Sequence, residues 1–298
     1  MGKGPLEVRG ARDLAELWRA LPAAVLRYRM AAPPRDGIAE LSNSLRHGAW
    51  VDHCAAAADQ QCAAAGRNCA FANTGRCRAD ILFPVHLGGG APQWRMATLL
   101  VQWRPSASEL CVVALGETAC QEIGWAARHL RRHYDLRGAA PSEARSFADL
   151  ELAGAGPWRL SFVTPWIAAK ANHGVRAVPS EEAVLHDLGK SMASRAQKFT
   201  ALCTPDPVWQ RLGGHLARYA ADAVLGESLK VDEVRIKTLS VPLQSGASGA
   251  RFEALAWLGD IALAATATAA PWLSLLNMCG GGENADKGFG GVEIVPLQ

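Results

Sequence analysis

Gly154-Ala155-Gly156-Pro157-Trp158-Arg159-Leu160-Ser161-Phe162-Val163-Thr164-Pro165 lies near the middle of the 298-residue chain. Two glycines and a proline read as a hinge. Trp158, Leu160 and Phe162 then alternate with less apolar neighbours, which predicts a strand with one buried face, ending at Thr164-Pro165. The stretch matters because the pattern that precedes it starts again after it.

Upstream, Leu26, Tyr28 and Met30 alternate with Arg27 and Arg29, so residues 25–30 predict a strand with one apolar and one basic face. Pro33-Pro34-Arg35-Asp36-Gly37 ends it. Ile38, Leu41, Leu45 and Ala49 recur at helical spacing, with Arg46, Trp50 and His53 on another side and His47 beside them. Strands are predicted at Ile81–His86, Arg95–Trp103 and Glu109–Leu115, a helix at 118–134, and a short closing strand at Leu150–Leu152. Downstream of the hinge come a helix over about 180–203, a second over about 206–224, and strands at Glu233–Val241 and Arg251–Leu258. A helix over 271–279, a glycine loop and a last strand at Val292–Val295 follow. Each half therefore reads strand, helix, strand, strand, helix, strand. The expected class is α+β: two tandem ferredoxin-like βαββαβ domains, 1–153 and 154–298. The first carries a cysteine-containing helical insertion over 54–79.

Nearly half the residues are apolar, enough for a real core, and no apolar run reaches 18 residues, so no membrane-spanning helix is expected. The first residues lack a signal-peptide core, and a cytoplasmic setting with free thiols is expected. The net charge is +3, but it is uneven: residues 1–140 hold 17 Lys/Arg against 12 Asp/Glu, and residues 141–298 hold 14 against 16. A basic half suits an anionic partner held from one side.

The tail from Cys279 to Val292 packs six glycines around Lys287. Such a loop lets backbone N–H groups converge on a phosphate, and the lysine adds charge. It leaves a helix and enters a strand, the reverse of a nucleotide-binding turn. The four clustered cysteines, Cys54, Cys62, Cys69 and Cys77, stand at C-x7-C-x6-C-x7-C. Thiolates ligate zinc, but zinc sites favour C-x2–4-C knuckles that this spacing lacks. Small buried side chains are the expected role, with no metal or other cofactor, and zinc held by the four thiolates is the open alternative.

Leu160-Ser161-Phe162-Val163-Thr164-Pro165, the helix holding Ser194-Arg195, and the tail from Leu258-Gly259 to Lys287-Gly288-Phe289-Gly290-Gly291 resemble the second half of CRISPR precursor-RNA processing endoribonucleases of the RAMP superfamily. Leu41-Ser42-Asn43-Ser44-Leu45-Arg46-His47-Gly48, the spaced cysteines and Ile81-Leu82-Phe83-Pro84 resemble their first half. The wide cysteine spacing and irregular glycine loop depart from the pattern and point toward an unusual subtype such as the type IV branch.

The resemblance implies metal-independent cleavage of a CRISPR repeat beside a stem-loop. The RNA 2′-hydroxyl attacks the adjacent phosphate, leaving a 2′,3′-cyclic phosphate and a 5′-hydroxyl. The protein then handles two protons and the charge on the phosphorane. His47 is the expected general acid or base, with Arg29 and Arg46 as charge stabilisers; His53 is its rival, and an arginine-only site is the other alternative. Arg27, the Arg128/Arg131/Arg132 helix face, and Gly281, Gly282, Lys287, Gly288 and Gly290 are expected to hold RNA. The expected partners are repeat RNA, the mature crRNA and other effector subunits. A non-catalytic crRNA-binding subunit of the same superfamily is the second reading, and a metal-binding or unrelated ferredoxin-like module the third.

Overall fold

A computed structural model describes residues 10–33, 37–54, 77–84, 96–134, 136, 140–141, 145–167, 179–204, 207–244, 251–282 and 289–297. The first half comprises α1 (Ala11–Arg19), β1 (Ala23–Arg29), α2 (Gly37–Asp52), α3 (Arg78–Leu82), β2 (Leu99–Arg104), β3 (Glu109–Leu115), α4 (Glu117–Tyr134) and β4 (Ala140–Pro141). The second comprises β5 (Gly156–Ile167), α5 (Glu181–Cys203), α6 (Pro207–Ser228), β6 (Leu229–Gln244), β7 (Arg251–Ala265), α7 (Ala270–Cys279) and β8 (Val292–Pro296). The two antiparallel sheets run β2-β3-β1-β4 and β6-β7-β5-β8. The first and last strand of each unit are thus adjacent, which is the ferredoxin-like order, present twice.

In the first half Leu26, Tyr28, Leu110 and Val112 face α2 and α4, meeting Leu41, Leu45, Ala126 and Leu130 in one apolar cluster. Val25, Cys111 and Val113 face the other way, into a core shared with α1 and the second half. This two-sided burial is why β3 reads as a nearly unbroken apolar run, Leu110–Leu115. In β5, Trp158, Leu160 and Phe162 are buried at alternate positions, as the central stretch predicts.

Three expectations need correction, and one helix lies outside the predicted elements. Ile81 and Leu82 lie in the short helix α3, where Ile81 N–H donates to Cys77 O, and not in a strand. The sheet is closed by Ala140–Pro141; residues Phe147–Leu150 form a 3-10 turn fixed by a capping box between Ser146 and Asp149. β6 and β7 run to 16 and 15 residues, well beyond their predicted ends. The unpredicted helix is α1: Leu14, Ala15 and Trp18 bury one side of it, and Trp18 donates to Thr200 Oγ1 at 2.8 Å while meeting Phe147, Phe199 and Trp272 edge-on.

Candidate functional site

The glycine loop is built into a kink of β5. The β5–β7 register shifts between Phe162 and Trp166, so residues 163–165 leave the ladder. The loop base docks there: Val163 N–H donates to Gly291 O at 2.8 Å, Gly290 N–H to Pro165 O at 2.8 Å, and Gly291 N–H to Thr164 Oγ1 at 2.7 Å. Gly281 N–H donates to Gly290 O at 2.9 Å and Gly282 N–H to Ser191 Oγ at 2.9 Å. Gly290 lies in the left-handed region (φ 62°), and a Cβ there would overlap the carbonyl of Gly281. One on Gly281 would overlap the indole of Trp166.

Those glycines are required for close packing, and their N–H groups already have acceptors inside the protein. A buried network backs them: Trp166 Nε1 donates to Asp187 Oδ2 at 2.6 Å, and Arg195 Nε donates to Gly280 O at 3.2 Å. Lys287 and Gly288, at the loop tip, lie outside the described residues.

The loop meets the first half across a narrow crevice of about 40 Å³, whose walls include Ser42, Gln102, Trp103, Thr164, Gly280 and Phe289. Gln102 Nε2 donates to the carbonyls of Asn277 and Met278 at the end of α7, and Arg104 Nη1 donates to Asn277 Oδ1 at 2.8 Å. Burial pulls the Arg104 guanidinium below its ordinary value, against the raising influence of Cys111 and Glu293. These bonds satisfy carbonyls left open at a helix C-terminus and tie the halves together beside the loop.

The expected catalytic residues do not converge on this crevice. Ile38 and Ser42 line it, whereas His47, five residues beyond Ser42, is turned ~140° around α2. His47 is exposed on the α4 side of the helix, and Arg46 beside it is half-buried. Arg29 sits on the opposite sheet face, in the alternation that sends Tyr28 into the helical core. Arg27, on that same face, pairs with Glu109 at 3.2 Å and lines a cleft of about 270 Å³ between the halves. There Glu109, Asp149, Glu151 and Glu293 outnumber Arg27 and Arg104. That balance of charge disfavours a phosphate backbone.

Cations gather on the outer helical face instead. Arg128, Arg131 and Arg132 are all exposed along α4. Between them and α2 runs a ladder of rings missed by the sequence reading: His53 and Trp125 centroids lie 4.8 Å apart, Trp125 and His129 5.4 Å, His129 and His133 4.4 Å. Ser44 Oγ lies 2.9 Å from His129 Nε2, and the His129 ring fills the space over Gly48. The available signal was the i, i+4 repeat of Trp125, His129 and His133. Burial lowers the His129 pKa, as do His133, Arg132 and His47, while Asp52 opposes them. His53 is held inward, 3.5 Å from Glu122, which also takes Arg78 at 2.5 Å.

Cys54 and Cys77 are buried with Ala79 beside Trp50, and Cys77 Sγ lies 3.9 Å from His53 O. Cys62 and Cys69, and most of the expected insertion, fall outside the described residues. Among the described residues no three His, Cys, Asp or Glu side chains converge as metal ligands would, and no helix is long and apolar enough to cross a membrane.

Two ferredoxin-like units, with a glycine loop braced before the last strand, place the chain in the tandem ferredoxin-like class. No family model and no curated protein matches it. Among solved structures it resembles Thermus thermophilus Cas6, with 15% identity over 93% of this chain and 98% of that one and a TM-score of 0.44. A Cas6 product complex gives 15% identity over 93% and 100%, with a TM-score of 0.45. The product of a Cas6-related gene from Pyrococcus furiosus gives 11% over 94% and 100%, with a TM-score of 0.40.

Proposed function

We propose that the protein is an endoribonuclease that cuts a CRISPR repeat transcript without a metal and keeps hold of the product. One observation carries the reading: an exposed face where imidazoles from two helices adjoin a row of arginines. Transesterification by the RNA's own 2′-hydroxyl needs groups that exchange protons near neutral pH and permanent cations for the phosphorane. In this reading His47 is the general acid or base and Arg46 the adjacent charge stabiliser. Arg29, on the far side of the sheet, takes no part in that step. Arg128, Arg131 and Arg132 follow the phosphates of the repeat stem, read by shape and backbone. Lys287 and Gly288 at the loop tip hold single-stranded RNA, while Gly281, Gly282 and Gly290 hold the loop itself.

A second reading, a non-catalytic crRNA-binding subunit, is favoured by one feature: α2 turns His47 away from the loop crevice. The two separate on incubation with a repeat RNA in EDTA. One cut, slowed by ~10²-fold in His47→Gln, supports the enzyme. Tight binding of uncut RNA supports the subunit, and RNA left both uncut and unbound contradicts both.

A further inference from the structure

We infer that His133, His129 and His47, with Arg132, form a phosphate site whose grip on an RNA backbone tightens as protons are added. The inference deepens the RNA-binding reading above and rests on it.

The site is held on one side and open on the other. His129 is fixed by Ser44 from α2, by the Trp125 ring and by its seat over Gly48. Its outer neighbours, His133 on the next turn of α4 and His47 on α2, are exposed. The His129 and His133 rings are tilted by 39° with centroids 4.4 Å apart, too close for two positive charges to coexist cheaply. The charged groups acting on His129 are His133, Arg132 and His47, all repelling a proton, and Asp52, attracting one. Asp52 is itself engaged, accepting from Trp125 Nε1 at 2.9 Å. Among the described residues, the cluster is therefore short of negative charge.

A phosphodiester supplies a permanent anion and acceptor oxygens at that point. With it in place, the repulsion between the rings is offset and an imidazolium becomes a charge-assisted donor. A group whose pKa rises on binding makes the complex tighter as pH falls, by about tenfold for each unit of rise. Arginine contacts do not titrate in this range, so the pH dependence belongs to the histidines.

The test is fluorescence anisotropy with a labelled CRISPR-repeat RNA stem-loop in EDTA, at constant ionic strength, at about pH 8 and about pH 6. The expected result is severalfold tighter binding at the lower pH, about threefold or more. In His133→Gln the ratio of the two affinities should fall clearly below the wild-type value, His129 and His47 keeping the remainder. In His186→Gln, whose exposed histidine lies on α5, the wild-type ratio should persist. His133 is exposed, so its replacement should leave thermal unfolding unchanged. A ratio within about twofold in the wild type, or one that survives in His133→Gln, overturns the inference and leaves RNA binding standing. No binding at either pH overturns the RNA-binding reading, and the inference falls with it.

Discussion

Replacing glycine by alanine should have opposite consequences at Gly290 and Gly226. Gly290 has φ 62°, and a Cβ there would overlap the backbone carbonyl of Gly281, which no rotamer change can move aside. Holding an L-residue in the left-handed region costs about 1–2 kcal/mol. Relieving the overlap pulls apart the bonds Gly281 N–H to Gly290 O and Gly290 N–H to Pro165 O. At about 1 kcal/mol each, those bring the expected loss to roughly 3–4 kcal/mol. Gly226 is exposed near the end of α6, with nothing within 4 Å of the Cβ it would gain. Alanine there should stabilise by about 0.5–1 kcal/mol, because the unfolded chain loses freedom. Urea unfolding of both variants beside the wild type measures each change. A loss below about 1 kcal/mol at Gly290 would refute the view that the loop base is locked by self-packing.

Stability should also depend on pH through His129. Its folded pKa is lowered, so the unfolded chain takes the proton first. The contribution is complete above the unfolded value of about 6.5 and is lost as pH falls below it, toward the lower folded value. Urea titrations above and below that point should show the fall, and His129→Gln should reduce it. Burial raises the Cys279 and Cys203 thiols to about 12, so both should resist alkylation in the native protein at mildly alkaline pH and react once it is unfolded, as mass spectrometry can follow.

Local patterning made most of the architecture legible. Alternation in Leu26–Arg29 and Trp158–Phe162 marks half-buried strands, and the apolar spacing of Ile38, Leu41 and Leu45 marks a helix that covers one sheet. What escaped depends on contacts remote in sequence. Helix α1 is short, and its Trp18 finds Phe147, Thr200, Phe199 and Trp272 only after the halves pack. Ile81-Leu82 satisfies a strand pattern equally well, but its backbone closes helical bonds to Cys77 and neighbours.

For the site, the exposure of Arg128, Arg131 and Arg132 follows from helix periodicity. The separation of Arg29 from His47 follows from the sheet between them, which no one-dimensional spacing reports. Gly281, Gly282 and Gly290 read as phosphate donors because composition cannot show that Ser191, Gly290 O and Pro165 O already take their N–H groups.

The proposed cleavage uses the RNA's own 2′-hydroxyl as the nucleophile. A repeat RNA carrying a single 2′-deoxy nucleotide on the 5′ side of the mapped cut tests it most directly, with the ends identified by mass spectrometry in EDTA. The account predicts that the all-ribose RNA yields a 2′,3′-cyclic phosphate and a 5′-hydroxyl, and that the deoxy-substituted RNA is bound but uncut. Cutting that persists at the substituted position, or that leaves a 5′-phosphate, would contradict it.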